Sequence, residues 1–383
     1  FHRNDAARVW QPTDIRNVGA LATSVEHMVT VVLDRPLDVP FIHRASFIRD
    51  RLRQVRQELT MQADSFSLNA RLCAVDLLEI CTRFHIIVEH KCCELGLRNL
   101  PPDEAKFDSK MNMQMYTQAL SGLMGIYEDL RGIGVSCPNE AEFQGYYVVS
   151  AADPEVLSGR LTQLPASVLS HKRMQLALRV LGAISAGDFV SFFRELKQAD
   201  YLTACLMHKH FDAVRHQALN AINRAFRLPQ PGGETPLPLA KIVPMLCLED
   251  IDEARTLVEH FRLVVRGDDV LLRAPRGGSE LSPRVDADGN AEYLPLRCSH
   301  SIIEAKLGGM RLAEILMSPE VPAVLASESM PPGSTVAVPR RATPSSAMPP
   351  PTPLTKPPKK PTAVPATPAA QSKGPKLAAP VPI

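Results

Sequence analysis

From residue 14 to residue 227 apolar side chains return every three or four positions, segment after segment, with only short breaks between segments. A chain written this way folds as helices stacked on helices, because each segment has one apolar stripe to bury and the loops are too short to do anything but turn. In residues 14–34 the stripe is Ile15, Val18, Leu21, Val25, Met28, Val29 and Val32, and Pro36 and Pro40 then interrupt it. Residues 42–62 predict a long polar helix, with Phe47, Ile48, Leu52, Val55 and Leu59 on one side and Arg49, Arg51, Arg53 and Arg56 over much of the rest. Asn69 is a candidate N-cap for a helix running to Glu94, with Gly96 as its stop. After Pro101-Pro102 a further helix is predicted from about Met111 to Leu130, and shorter ones over 141–150, 154–164, 169–185, 188–198 and 200–227. No repeat of fixed length is present, so a solenoid here is structural rather than visible as self-similarity.

The pattern changes near Pro229. Gly232-Gly233 and Pro236-Leu237-Pro238 read as a break, and Leu239–Leu246 and Asp252–Phe261 as two short helices. Val264-Val265-Arg266 and Asp269-Val270-Leu271-Leu272, joined by Gly267-Asp268, read as a β-hairpin. Two helices followed by a hairpin are the outline of a winged helix. The predicted organisation is therefore a lead-in over 1–14, a helical scaffold over 15–228, a winged helix over 229–307, a short helix and linker over 308–330, and a tail over 331–383. That tail holds 16 of the 34 prolines and seven Lys or Arg with no Asp or Glu. It lacks the apolar surface to offset chain entropy and is expected to be disordered. Its seven positive charges exceed the whole chain's formal +2, so residues 1–330 sum to −5. Net charge thus does not mark the folded part as a nucleic-acid binder, and any basic surface must be local.

Eight cysteines are scattered among apolar helical residues without a disulfide framework, which suits a reducing compartment. No apolar run approaches the roughly 20 residues needed to span a bilayer. The chain starts at Phe1 rather than Met, as an excised piece would.

Three groups of residues are candidates for chemistry. His85, His90, Cys92 and Cys93 invite a metal, but His85 and His90 are five apart and lie on different helical faces, and adjacent cysteines chelate poorly from a helix. They read as packing cysteines and exposed histidines. Cys205 and His208 can be drawn as a nucleophilic pair, but Tyr201, Leu202, Cys205 and Leu206 form a core stripe. The run Arg49–Arg56 can be drawn as a nucleic-acid stripe, against a solvated helix face with Asp50 and Glu58 as local partners; the second reading is preferred. No phosphate-binding glycine loop or nucleophile elbow is present. The expectation is a non-enzyme without cofactor or metal.

Several stretches together resemble the germinal-centre-associated nuclear protein (GANP) type family, also named after the yeast suppressor-of-actin scaffold. They are Phe47–Leu59, Arg83-Phe84-His85-Ile86 with Glu89-His90, Cys137-Pro138-Asn139-Glu140-Ala141-Glu142-Phe143-Gln144-Gly145-Tyr146, Gly187–Phe193, Tyr201–His208 with Val214-Arg215 and Ala218-Leu219, and Ser301–Lys306. The stretch from Cys137 to Tyr146 is the most specific. The resemblance covers about residues 10–307. It implies a helical repeat ending in a winged helix, related to the PCI domains of proteasome-lid and translation-factor subunits. It also implies binding to a second PCI protein and a small acidic peptide, in a nuclear assembly that links transcription to mRNA export at the nuclear pore, with no membrane partner. Short relatives have been linked to centrosomes and spindles, so a centrosomal scaffold, another PCI subunit such as one of the proteasome lid, and an enzyme such as a thiol hydrolase remain as alternatives. Family winged helices can pair with a partner's to make a shared basic platform. On this chain the residues expected to contact RNA or DNA are Lys241, Arg255, Arg262, Arg266, Arg273 and Arg276. Arg255 and Arg262, seven apart, are placed on one face of the second helix, and Arg266 and Arg273 on or beside the hairpin. Glu249, Asp250, Asp252, Glu253, Glu259, Asp268 and Asp269 would balance them if the surface were merely solvated.

Overall fold

A computed structural model describes residues 11–34, 39–96, 107–225, 234–273, 281–285, 294 and 296–317, all within one compact unit. The chain is mainly α-helical. The expected disorder of the tail concerns residues outside this description.

Helix α1 (Val18–His27) begins where Asn17 accepts the Ala20 amide at 2.8 Å, and it runs on into a π-helical turn over Met28–Leu33. Helix α2 (Phe41–Gln62) follows Pro40, and α3 (Leu68–Lys91) is the longest apolar segment. Its N-cap is Ser67, whose hydroxyl accepts from the Ala70 amide at 3.3 Å, so Asn69 lies inside the first turn. The helix also stops at Lys91, before a 3-10 turn over Cys93–Gly96. Helix α3 is the axis of the stack and packs against α1, α2, α4 (Ser109–Gly132), α10 (Tyr201–His208) and the terminal α14 (Leu312–Met317). That position explains why its buried residues go all the way round, from Ala74 to Val88, rather than forming one stripe.

The stack continues through α5 (Glu140–Ala151), α6 (Pro154–Leu161), α7 (Ala166–Leu169), α8 (Lys172–Ala186), α9 (Phe189–Gln198), α10 and α11 (Phe211–Ala225). Asp153, Asp188 and Asp200 cap α6, α9 and α10 through their carboxylates, as Asp108 caps α4. The segment 200–227, read from sequence as one helix, breaks between His208 and Phe211, and 169–185 breaks after Leu169. Helix α5 comes close to α8 because Gly145 has no side chain: a Cβ there would meet the Arg173 carbonyl oxygen at 3.4 Å and the Ala177 Cβ at 3.5 Å.

The last module has the order β1 (Glu234–Pro238), α12 (Leu239–Met245), α13 (Ile251–His260), β2 (Val264–Arg266) and β3 (Asp269–Arg273). The helices and hairpin fall where the sequence placed them. The Pro236–Pro238 stretch does not form a break: β1 is an edge strand, antiparallel to β3, with Leu237 opposite Val270, in a sheet ordered β1-β3-β2. The prolines are tolerated because N–H directions alternate along a strand. Leu239 donates to the Asp268 carbonyl at 2.8 Å, so odd-numbered amides face β3 and the donors missing at Pro236 and Pro238 face outward. Leu237, Val270 and Leu272 join the same core as the helices.

Candidate nucleic-acid interface

The most specific sequence stretch turns out to build a buried polar lock. Arg83 is fully buried on α3. Its Nε donates to Glu142 Oε1 at 2.7 Å, Nη1 to the Leu316 carbonyl at 3.1 Å and Nη2 to Glu79 Oε2 at 3.4 Å, while its guanidinium lies 4.9 Å from the Phe143 ring centre. Tyr127 and Asn139 each donate to Glu79 at 2.7 Å, and Tyr146 donates to Glu142 at 2.9 Å, with Arg173 on its other oxygen. Burial pushes the Glu142 carboxyl up, but the charge and hydrogen bonds of Arg83, joined by Arg173 and Tyr146, outweigh it and hold it below the usual carboxylate range. Glu79 is governed by burial and pushed up to about 7. One arginine thus ties α3, α5 and α14 together, and each buried charge has partners, as buried charges must.

A second buried arginine fixes the β-containing module to the stack. Arg215 of α11 donates to the carbonyls of Leu246 (3.1 Å) and Cys247 (2.7 Å) and to Glu253 Oε1 (3.1 Å), over the Phe211 ring. His216 stacks on Phe261 with ring centres 4.5 Å apart and donates through Nε2 to the Leu281 carbonyl. The α12–α13 corner and the end of α13 are therefore held rigidly against α11.

On this module the structure places the expected basic residues unevenly. Lys241 on α12 and Arg266 on β2 are exposed. Arg255 is half-buried and turned onto the hairpin, where its guanidinium donates to the Gly267 carbonyl and to Asp268 Oδ1, both at 3.0 Å. Arg262 does not share a helical face with Arg255: α13 ends at His260, and Arg262 sits in the following turn with φ +59°, exposed, its amide donating to the Glu259 carbonyl. Arg273 ends β3, and Arg276 lies outside the described residues. The acidic neighbours are less available than their number suggests. Glu253 is buried on Arg215, Glu249 accepts from Ser299 and Ser301, and Asp250 caps α13 while pairing with Arg297. Asp268 is occupied by Arg255.

The arginine run of α2 is not a solvated face. Arg49 and Arg56 are buried, Arg56 donates to Gln118 of α4, and Glu58 is fully buried on Arg16 rather than paired with the run. His85 and His90 are also buried, not exposed. Cys205 and His208 are core residues, as read: burial pushes the thiol well up and the imidazole well down, the reverse of an activated thiolate–imidazolium pair. Among the described residues, no helix is long and apolar enough to cross a membrane.

Comparison with known proteins agrees with the residue-level resemblance. A family model described as the SAC3/GANP family matches residues 1–267. Protein xmas of Drosophila melanogaster is 34% identical over 261 residues, 66% of this chain and 12% of that protein. SAC3 family protein B of Arabidopsis thaliana is 31% identical over 254 residues, covering 64% and 14%. SAC3 family protein 1 of Schizosaccharomyces pombe is 27% identical over 345 residues, covering 82% and 30%. The chain thus spans less than a third of each of these relatives. With a matching family model over most of its length and the arginine-centred lock built by the matching residues, the chain belongs to the SAC3/GANP family.

Proposed function

We propose that the chain is a non-catalytic scaffold of a nuclear assembly that couples transcription to mRNA export. In this reading the β1–α12–α13–β2–β3 module is a winged helix. It and the helical stack bind a PCI-domain protein and a small acidic peptide, and the module offers a basic surface to RNA or DNA. Contacts with the nuclear pore or export receptors would come through other parts of the assembly. The observation that carries the reading is the rigid seating of a helix-helix-hairpin module on a helical stack through buried Arg215. A scaffold transmits position, so a module fixed by a buried charge suits it. Val264, Met245 and Ile251 are about 40% exposed on this module and are the apolar side chains it offers to a partner.

Among the described residues the basic surface is uneven. Among the residues expected to contact nucleic acid, Lys241, Arg262 and Arg266 are exposed, whereas Arg255 serves the hairpin; the Arg273 side chain and Arg276 lie outside the description. A few phosphate contacts give weak, sequence-independent binding that falls with salt, because each neutralised phosphate releases counterions. Anisotropy titration of labelled RNA with the partnered complex tests this. Replacing Lys241, Arg262 and Arg266 with Glu is expected to weaken binding and flatten the salt dependence, with Arg255→Ala milder. Unchanged affinity in the triple variant removes this surface from the mechanism.

A further inference from the structure

Three stretches far apart in sequence meet at one buried point. His90 ends α3, Tyr201 and His208 bound α10, and Cys298 and Glu304 lie in the segment after the β-containing module. His90 Nε2 is 3.6 Å from Cys298 Sγ and 3.3 Å from Glu304 Oε1, and the three donor atoms lie within 4.8 Å of one another.

The hydrogen-bond pattern fixes which nitrogen of His90 faces this cluster. The Arg297 carbonyl can only accept, so His208 Nε2, 3.0 Å from it, carries a proton. In its neutral form, with that proton on Nε2, His208 accepts at Nδ1. His90 Nδ1 lies 3.0 Å from that atom and is the donor. In a neutral His90, Nε2 is then a bare lone pair, pointed at a carboxylate oxygen and a sulfur that are equally electron-rich. Something positive belongs between them. A proton would draw the histidine and carboxylate together to about 2.7–2.9 Å, as charge-assisted hydrogen bonds do. The observed 3.3 Å is longer. Tetrahedral zinc, with bonds of about 2.0–2.1 Å to nitrogen and oxygen and about 2.3 Å to sulfur, sets donor–donor edges of about 3.3 Å for N···O and about 3.6 Å for N···S. Both observed separations match.

We propose that His90 Nε2, Cys298 Sγ and Glu304 Oε1 form a three-residue zinc site that pins the end of α3 to the segment 297–307. The surroundings are those of a metal centre. His208 holds the ring of His90 from behind, in the way outer residues set a ligating histidine's tautomer. Tyr201 donates to Glu304 Oε1 at 2.8 Å and Lys91 sits on its other oxygen. The Glu94 carboxylate accepts the Cys298 amide at 2.8 Å, fixing the loop that carries the thiol. The Cys298 thiolate and the Glu304 carboxylate offset the charge of the ion. The mixed sulfur, nitrogen and oxygen set favours zinc over calcium or magnesium. A cleft of about 830 Å³, lined in part by His90, Cys93, Phe107 and His208, gives the ion a way in.

Metal analysis of the purified chain, followed by cobalt(II) titration of the chelator-stripped protein, tests the site. The expected results are one zinc per chain and a cobalt spectrum with strong visible bands of tetrahedral geometry and a thiolate charge-transfer band. Cys298→Ser should lower zinc affinity at least about tenfold, and His208→Asn, which holds the His90 ring and the Arg297 carbonyl beside Cys298, by about 10–100-fold. Cys73→Ser, at the other end of α3, should bind as the wild type does. If Cys298→Ser does not fold, the cobalt spectrum of the wild-type chain decides alone. A folded wild-type chain that retains no zinc and gives only the weak cobalt bands of octahedral coordination overturns the proposal. So does a Cys298→Ser variant that binds like Cys73→Ser.

Discussion

Arg83→Met should be among the most damaging single changes this fold can suffer. The methionine fills much of the volume but leaves Glu142 and Glu79 buried without their shared cation, at contacts of 2.7 and 3.4 Å, and leaves the Leu316 carbonyl without its 3.1 Å donor. Neither carboxylate is wholly abandoned: Arg173 and Tyr146 stay with Glu142, and Tyr127 and Asn139 with Glu79. Removing one partner of a buried ion pair typically costs about 3–5 kcal/mol, and the remaining donors place this case toward the lower end. Against a total stability of about 5–15 kcal/mol for an ordinary domain, that loss lowers the soluble yield as well as the midpoint. Urea unfolding followed by far-ultraviolet circular dichroism measures it. Adding Glu142→Met should give back part of the loss, because one uncompensated charge is removed with it. A single variant that loses less than about 1 kcal/mol, an ordinary surface value, refutes the lock.

Two further outcomes follow from the same physics. His85 is fully buried; burial, with Arg56 and Arg49 adding and its bond to Asn112 opposing, pushes its pKa down to about 3. Below pH 6.5 the unfolded chain takes up this proton and the folded chain does not, so stability is lost as pH falls from 6.5 toward 3; at pH 5 the loss is about 2 kcal/mol, and urea unfolding of His85→Leu should show a correspondingly shallower decline. Arg215→Met removes three donors from the α12–α13 corner and leaves buried Glu253 without its cation, with the Glu249 amide still donating to it, a loss of about 3 kcal/mol. Hydrogen exchange should quicken in α12, α13 and the hairpin while α3 and α4 keep their protection; uniform quickening, or none, contradicts the clamp.

Much of the helical stack was legible because helical periodicity is a local signal, and so was the hairpin, because Gly267-Asp268 between β-branched runs is also local. What was missed is non-local. Charge periodicity on α2 cannot say that Gln118 of α4 covers Arg56, so a buried arginine read as a solvated one. Arg83 and Glu142 lie 59 residues apart and look unrelated until α3 and α5 pack. Seven-residue spacing placed Arg262 on a helix that had already ended at His260. A ligand search by short spacing grouped His90 with His85, whereas its neighbours in space are more than 200 residues away, at Cys298 and Glu304. The strand at Pro236–Pro238 was hidden by prolines, which are usual breaks and become acceptable only at an outward-facing edge.

The scaffold reading stands or falls on whether this surface is built for partners. The direct measurement is size-exclusion chromatography and thermal melting of the chain alone and co-expressed with a PCI-domain partner and a small acidic peptide. The account predicts one co-eluting complex and a raised melting temperature, since binding the folded state alone adds about 3 kcal/mol at a hundredfold excess over the dissociation constant. A chain that is monodisperse by itself, elutes apart from both and melts at the same temperature with or without them contradicts it.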